Sequence, residues 1–407
     1  MKKVIIVGGG ASGVVCGIFA KRDDNEVIIL ERNTKPLKKL LMTGNGRCNY
    51  MNEVYGRSFY HSEDMDIVDQ ILSTKNIQHM KDFFDSLGII PKIKNGYYYP
   101  FSNQATTIYH ALLEEAKYRR VSIICDTYVE KIEKKKETFF LKTSQGDYTC
   151  DKLVLAAGSR AYPKTGSDGD GYSFLRDFSH TIVEPVPALV PLIGKGNYFR
   201  EWAGVRSDVS LELFEDGKYI DRVEGEVQLT DYGISGICTF QLSHIVSRGL
   251  YEGKSEMIKI NFVPFIETLI TPWMDQYSKK QSHKNVRELL EGFLNYKIVS
   301  ILLKYCKISP NTYYSDLSNE EKLTLCKSLR SFPVEIMDTK GFEFAQICNG
   351  GVKLTEIDSH TMESKLVPGL YIIGELLDMN GECGGYNLTT CWISGILAGK
   401  AIGDYHD

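Results

Sequence analysis

The first thirty residues combine two short apolar runs with a longer segment of helical pattern. Val4 to Val7 form a β-branched apolar run of the length expected for a strand buried on both faces. Residues 14–22 have a helical pattern, and a second apolar run follows at 27–30. A helix between two apolar strands predicts a β-α-β unit with parallel strands.

Strand-type patterns return after residue 127. Three short strands are predicted at 128–133, 139–143 and 148–149, and they lead to an apolar strand that starts at Leu153 and ends in Ala156-Ala157-Gly158. Residues 190–262 read as short strands separated by turns, which predicts a small barrel or sandwich. Residues 265–332 read as helices. A strand at 369–373 and a helix at 386–399 follow.

The composition excludes several classes of protein. A length of 407 residues suggests two or three domains. A net charge of −4 gives no general attraction for a phosphate backbone, so we expect no nucleic-acid partner. No apolar run is long enough for a signal-peptide core or a membrane span, so we expect a cytoplasmic protein with no membrane contact. The ten cysteines contain no Cys-x-x-Cys pair, which argues against disulfides and a metal site.

A glycine-rich segment of the form G-x-G-x-x-G joins the first strand to the first helix. Gly8 permits the tight turn, Gly10 lets the backbone approach a pyrophosphate, and Gly13 lets the helix pack closely on the strand. Ala11 and Ser12 lie between these glycines, where free N–H groups and a partial positive charge favour phosphates.

An acidic residue completes this pattern. Glu31 ends the second strand, 18 positions beyond Gly13, and can accept hydrogen bonds from both ribose hydroxyls. Arg32, which follows it, is included in the predicted site. The pattern predicts a dinucleotide site. The alternative is a glycine-rich turn without a ligand.

Two later segments decide between FAD and NAD. The meander that starts near Val129 leads to a strand followed by Ala157-Gly158, which resembles the second region of glutathione-reductase-type FAD domains. Gly374-Glu375 follows another strand and resembles their third region, where the acid holds the ribityl chain. A nicotinamide dehydrogenase needs neither region, so the sequence predicts FAD.

Longer motifs narrow the resemblance, and they span nearly the whole chain. They resemble motifs of the aminoacetone-oxidase-type and BaiN-type FAD proteins, the latter being 3-dehydro-bile-acid Δ4,6-reductases. The motifs are KLLMTGNGRCN at 39–49, YPKTGSDGDGY at 162–172, LTDYGISG at 229–236 and GGYNL at 384–388.

The resemblance implies an α/β fold in which a Rossmann-like FAD-binding domain with a β-meander is interrupted by a β-barrel insert carrying a helical cap. The implied FAD-binding domain is discontinuous and covers residues 1–188 and 336–407. The barrel insert covers 189–264, and the helical cap covers 265–335.

The resemblance also adds residues to the predicted cofactor site. The loop containing Thr43, Gly44 and Cys48 would lie against the isoalloxazine and pyrophosphate, and Lys39 and Arg47 would supply charge for an anionic cofactor. The alternative for Arg47 is a structural salt bridge.

The glycine pair before the helix at 386–399 belongs to the same predicted site. Gly385 opens that helix, and its N-terminus would face the N1–C2=O edge of the flavin. Asn387 and Leu388 would contact the ring through backbone N–H groups. For the neighbouring Cys383, a packed and inert thiol is favoured over a thiol of lowered pKa.

The chain departs from the family motifs at several positions. Ser159 replaces a usual glycine, and Glu375 replaces a usual Asp. Ile237 replaces a proline, and Asp231 stands where His or another polar residue is common. We expect Asp231 and Tyr232 in the wall of a substrate pocket, with a barrel turn as the alternative.

Tyr97 to Pro100 and Trp202 either line a cavity or pack in the core, and His244 is favoured as a structural residue over a catalytic base.

Three classes of function are compatible with these features. The first is hydride exchange between the flavin and a small, largely apolar substrate, as reduction of an enone-like C=C bond or as oxidation of a small primary amine with oxygen. No second G-x-G-x-x-G follows a strand, so NAD(P)H, as reductant, would visit the site only transiently. The others are an FAD-dependent RNA-modifying protein and a flavin sensor. No catalytic acid or base can be named from the sequence.

Overall fold

The computed structural model describes residues 2–404. The chain forms two compact units, one made of the residues up to Val186 together with those from Gln346, and the other of Pro187–Ala345. Among the described residues, no helix is both long and apolar enough to cross a membrane.

The first unit contains β-strands β1–β12 and β19–β21 with helices α1–α5 and α12. In chain order they are β1 Lys2–Val7, α1 Ala11–Ala20, β2 Asn25–Leu30, β3 Met51–Asn52, β4 Tyr60–His61, α2 Met65–Ile71, α3 Thr74–Ser86, β5 Pro91–Lys94, β6 Tyr97–Pro100, α4 Ala105–Tyr118, β7 Ser122–Ile124, β8 Val129–Lys135, β9 Thr138–Thr143, β10 Gly146–Cys150, β11 Lys152–Leu155, α5 Asp170–Asp177, β12 Ile182–Ala188, β19 Ile347–Val352, β20 Leu370–Ile372, β21 Asn380–Gly381 and α12 Tyr386–Ile402.

A five-stranded parallel sheet in the order β20-β11-β1-β2-β7 forms the centre of this unit. Val4, Ile5 and Ile6 of its middle strand are fully buried because both faces of the sheet are covered. The meander β8-β9-β10 forms a separate antiparallel sheet. The predicted α/β Rossmann-like fold with a β-meander is confirmed.

Helices α1 and α12 pack closely and run in the same direction. A Cβ atom on Gly395 would lie 2.7 Å from the carbonyl oxygen of Ser12, and one on Gly399 would lie 2.7 Å from that of Cys16. The second contact lies four residues after the first in both helices, so the two helices are parallel. Because α12 begins nine residues before Gly395, its N-terminus extends about 13 Å beyond this contact.

The second unit contains the remaining elements. They are β13 Leu192–Gly194, α6 Phe199–Trp202, β14 Arg206–Glu215, β15 Lys218–Leu229, β16 Gly233–Ser235, α7 Ile237–Tyr251, β17 Glu256–Asn261, α8 Ile270–Lys280, α9 Val286–Leu290, α10 Tyr296–Tyr305, α11 Asn319–Arg330 and β18 Phe332–Thr339. Six strands close a barrel in the order β13-β16-β15-β14-β17-β18. Helices α8 to α11 lie between its last two strands in sequence.

The predicted boundary at residue 335 does not coincide with the end of this unit. Strand β18 continues to Thr339, and the unit ends at Ala345. The reason is barrel closure, because β18 pairs with β17 on one side and with β13 on the other. At the earlier boundary, Pro187 and Ala188 belong to both strand β12 and the second unit.

Candidate functional site

The turn between β1 and α1 has the geometry that its glycines require. Gly8 has a φ of +109°, and a Cβ atom there would collide with the carbonyl oxygen of Ala156. A Cβ atom on Gly13 would collide with the carbonyl oxygen of Gly8, so α1 packs against the turn at backbone distance. Both positions therefore admit only glycine.

The first turn of α1 is open. A Cβ atom on Gly10 would meet no other atom within 4 Å, and no side chain caps the helix there. Ala11 and Ser12 form its first two residues. The leading N–H groups of a helix have no intrahelical acceptor, so this end is suited to bind an anion.

Glu31 lies beside this turn with its carboxylate buried. Its Oε2 accepts a hydrogen bond of 2.8 Å from the backbone N–H of Gly9, and its Oε1 accepts bonds of 2.7 Å from the backbone and side chain of Asn33. Each carboxylate oxygen can accept more than one hydrogen bond, so capacity for ribose hydroxyls remains. Arg32 pairs with Asp168 at 2.6 Å and lies over the ring of Tyr128.

The predicted cofactor loop, residues 43–48, is tightly folded and carries an arginine whose side chain is unpaired among the described residues. Gly44, Asn45 and Cys48 have φ values of 55° to 57°, and the Thr43 hydroxyl donates to the carbonyl oxygen of Leu40 at 2.7 Å. Cys48 is buried, which raises the pKa of its thiol to about 12. The side chain of Arg47 is exposed and makes no hydrogen bond or ion pair with residues 2–404. The alternative, in which Arg47 forms a structural salt bridge, is therefore wrong for the described residues.

Two departures from the family motifs contact each other. Ser159 donates a hydrogen bond of 2.7 Å to Oε2 of Glu375, and Lys39 forms an ion pair of 2.6 Å with the same oxygen. The longer Glu side chain and the serine hydroxyl thus complete one polar cluster. Ser159 was noted in the sequence only as a departure, because its partner lies 216 positions away.

The other residues in the segments that resemble the second and third regions of FAD domains include glycines with positive φ in tightly packed turns. Val129 is buried at the start of β8, and Ala157 leads to Gly158, which has a φ of +79°. A Cβ atom on Gly158 would collide with the Ser167 hydroxyl. Gly374 has a φ of +70°, and a Cβ atom there would collide with the Ser12 hydroxyl on α1.

The N-terminus of α12 forms a second open helix end. Gly385 is its N-cap with a φ of +88°, and no side chain caps it. Asn387 holds the preceding turn by accepting from the N–H of Gly381 at 2.8 Å and donating to its carbonyl at 2.7 Å. The backbone N–H groups of Asn387 and Leu388 lie in the first turn, where no intrahelical acceptor exists. Burial raises the pKa of Cys383 to about 12, so its thiol is protonated at neutral pH.

The predicted substrate-pocket residues lie in the second unit. Asp231 and Tyr232 form the turn between β15 and β16, where Thr230 and Gly233 bond to each other and Lys340 lies 4.6 Å from the Tyr232 ring centre. Their role in a pocket wall stays a prediction. Trp202 is 1% exposed and packs in the core of this unit, and His244 lies on α7.

The residues of the first unit fit FAD. Two uncapped, parallel helix ends, an acid beside the glycine-rich turn and a free arginine match the charges and donors of a bound dinucleotide. Among residues 2–404, no three His, Cys, Asp or Glu side chains converge as they would around a metal ion. The fold and these features define an FAD-dependent oxidoreductase.

Comparison with known proteins identifies the family. Residues 2–401 match the model described as "HI0933-like protein Rossmann domain", and the chain belongs to that family. It is 37% identical over 407 residues to the 3-dehydro-bile acid delta(4,6)-reductase of Clostridium scindens, covering 99% of this chain and 100% of that one. It is also 27% identical to the ribosomal RNA dihydrouridine synthase of Escherichia coli, covering 96% and 95% of the two chains.

Solved structures share the fold at low sequence identity. A flavocytochrome c3 fumarate reductase has a TM-score of 0.50 and 15% identity, with 99% of this chain and 78% of that chain covered. The 3-ketosteroid-delta4-(5alpha)-dehydrogenase of Rhodococcus jostii has a TM-score of 0.50 and 13% identity, with 99% and 97% covered. These likenesses concern the fold alone.

Proposed function

We propose that the protein uses FAD to reduce a C=C bond conjugated to a carbonyl group in a small, largely apolar substrate. The observation that carries this proposal is the 37% identity, over nearly the whole of both chains, to a bile-acid delta(4,6)-reductase. The dihydrouridine synthases point to related chemistry, because dihydrouridine is uridine with two hydrogens added across a C=C bond conjugated to a carbonyl.

In this proposal the residues of the first unit hold the cofactor. The N-terminus of α1 binds the pyrophosphate, Glu31 binds the adenosine ribose, and Arg47 pairs with an anionic part of the cofactor. The N-terminus of α12 stabilises negative charge at the flavin edge. When bound, FAD supplies the hydride chemistry, and the protein supplies binding, orientation and electrostatics.

The proposed source of electrons is NADH or NADPH that binds transiently. This follows from the single G-x-G-x-x-G segment after a strand, which is used for the first dinucleotide. Oxygen as acceptor, with a primary amine as substrate, is the alternative that the same experiment tests.

An anaerobic assay tests the reaction class. The purified holoprotein is mixed with NADH or NADPH, and bleaching of the flavin absorbance is followed. The reduced protein is then mixed with 4-androstene-3,17-dione or a 3-oxo-Δ4 bile acid, and the product is identified by mass spectrometry. We expect reoxidation of the flavin and a product with two additional hydrogens. In parallel arms, aminoacetone replaces the nicotinamide as reductant, and oxygen replaces the ketone as oxidant. Reduction by aminoacetone alone, with reoxidation by oxygen alone, would contradict the proposal.

The two dihydrouridine synthases favour a second candidate, a uridine in ribosomal RNA. The net charge of −4 gives no general attraction for RNA, which favours the small substrate. An additional arm with ribosomal RNA as oxidant separates the two. Dihydrouridine formation in that arm, without turnover of the steroid ketones, would select the RNA candidate.

A further inference from the structure

Two of the three consecutive tyrosines on β6 lie against the proposed flavin-binding segments. The Cε1 atom of Tyr97 is 2.9 Å from the position that a Cβ atom on Gly384 would occupy. The Cε1 atom of Tyr99 is 3.7 Å from the equivalent position on Gly44. Strand β6 therefore links the glycine pair before α12 to the loop that carries Arg47.

The alternation of a β-strand assigns these tyrosines to two faces. Tyr97 and Tyr99 are two positions apart and share one face, whereas Tyr98 points to the other. The Tyr98 ring packs edge-on against buried Tyr50 at a centroid distance of 6.3 Å. Tyr97 and Tyr99 thus face the glycines, and Tyr98 faces the core.

Strand β3 holds Tyr97 beside the glycine pair. Asn52 is paired in register with Tyr97, and its side-chain amide donates a hydrogen bond of 2.9 Å to the carbonyl oxygen of Gly384. The adjacent Met51 presents its carbonyl oxygen to Gly385 at backbone distance. Strand pairing and the Asn52 hydrogen bond therefore hold the backbone of Tyr97 beside the start of α12.

Tyr97 is half-buried, and its hydroxyl has no hydrogen-bond partner in the part of the chain that the structure describes. Burial raises the pKa of Tyr97, and the nearby Cys383, Tyr99 and Glu382 raise it further. The phenol is consequently neutral at pH 7 and has a proton to donate. A hydroxyl with no protein acceptor, beside a flavin site, is available to a substrate.

We propose that Tyr97 is the proton donor in the reduction. This inference rests on the proposed function, which needs a proton as well as a hydride. Bound reduced FAD would supply a hydride for the substrate carbon remote from the carbonyl, and the C=C π electrons would then lie on the carbon next to the carbonyl. The O–H bond of Tyr97 then breaks as its proton forms the second new C–H bond, and the resulting tyrosinate regains a proton from water.

Tyr97→Phe removes only the hydroxyl, and Tyr98→Phe is the matched control on the opposite face of the same strand. Each holoprotein is reduced anaerobically and mixed in a stopped-flow instrument with 4-androstene-3,17-dione. We expect reoxidation of the flavin to slow by about 100-fold or more in Tyr97→Phe and to change by less than about twofold in Tyr98→Phe. The FAD content and absorbance spectrum of both variants should equal those of the wild type.

Two further measurements separate the inference from the function on which it rests. Binding of the ketone to the oxidised protein is followed by the shift of the flavin bands, and we expect Tyr97→Phe to retain it. Cys383→Ala tests the neighbouring thiol as the donor. If the wild type neither binds nor reduces any ketone or RNA tested, the proposed function fails and the role of Tyr97 fails with it.

If the wild type reduces the ketone and Tyr97→Phe does so at the same rate, only the inference on Tyr97 is overturned. A loss comparable to the expected one in Cys383→Ala, with Tyr97→Phe unaffected, would assign the proton to the thiol. Loss of FAD from Tyr97→Phe would make the tyrosine a cofactor-positioning residue instead.

Discussion

The guanidinium of Arg47 is exposed and unpaired among residues 2–404, within a loop where four of five residues have positive φ. Its side chain stabilises nothing in the protein, so Arg47→Ala should leave the melting temperature unchanged. Loss of one charge-assisted hydrogen bond should weaken FAD binding by about tenfold. Titration of the apoprotein with FAD measures this, and Arg200→Ala, another exposed arginine in the second unit, is the control. Equal affinities for both variants would remove Arg47 from the cofactor site.

Glu31 is a second single residue whose charge is predicted to affect FAD binding. Glu31→Gln keeps the shape of the side chain but removes the negative charge that binds the N–H of Gly9 and that is proposed to bind the ribose hydroxyls. We expect FAD affinity to fall by about tenfold, a loss of roughly 1.5 kcal/mol. Glu26→Gln on the same strand, at an exposed position, is the control in the same titration. If both variants bind FAD like the wild type, Glu31 does not contact the ribose.

At the scale of elements, the close contact between α1 and α12 holds two open helix ends parallel to each other. Gly395→Ala would place a methyl group 2.7 Å from the carbonyl oxygen of Ser12. The helices must then separate, which should lower the free energy of unfolding by about 1–3 kcal/mol and weaken FAD binding. Thermal melts with and without FAD measure both effects.

Gly56→Ala is the control for this substitution, because Gly56 has extended backbone and no atom within 4 Å of a Cβ position. An equally small effect of both substitutions on stability would show that the helices can separate at no cost.

A buried carboxylate in the barrel, that of Glu256, predicts a dependence of stability on pH. Glu256 of β17 is 2% exposed, and neither carboxylate oxygen has a hydrogen-bond partner among the described residues. Burial, together with the charge of Glu215, raises its pKa from 4.5 to about 8. Between these values the folded chain keeps a proton that the unfolded chain releases, so the free energy of unfolding falls as the pH rises from about 4.5 to about 8.

Glu256→Gln is neutral at every pH and should abolish this loss. We expect the variant to equal the wild type at pH 4 and to exceed its stability by at least about 1 kcal/mol at pH 8. Urea unfolding at both pH values provides the measurement. Glu335→Gln, on the exposed side of the neighbouring strand, should show no such difference. A parallel pH dependence of the wild type and Glu256→Gln would contradict the assignment.

For the whole molecule, the prediction concerns the identity of the bound flavin. The glycine-rich turn and Glu31 are needed only for the adenosine and pyrophosphate half of the cofactor. The purified protein should therefore be yellow and should release FAD on denaturation. Chromatography of the released flavin tests this, and FMN as the sole product would show that the first β-α-β unit does not bind the dinucleotide.

Much of the fold could be predicted from the sequence because the patterns are local. The β-branched run at Val4 to Val7, the glycine spacing and Glu31 lie within one β-α-β unit, where each residue acts on neighbours a few positions away. The meander and the helices α9 to α11 were predicted for the same reason. The resemblance to known motifs added the barrel, which the pattern alone did not distinguish from a sandwich.

Only the tertiary structure decided the contacts between distant segments. Ser159 meets Glu375, α1 and α12 run in parallel, Tyr97 lies beside Gly384, and β18 closes the barrel after four helices. These contacts depend on how sheets and helices pack, and the periodicity of a strand or helix says which face is buried but not which partner covers it. The sequence by itself therefore determined the first β-α-β unit, the meander and the nucleotide motif, whereas packing determined which side chains surround that motif.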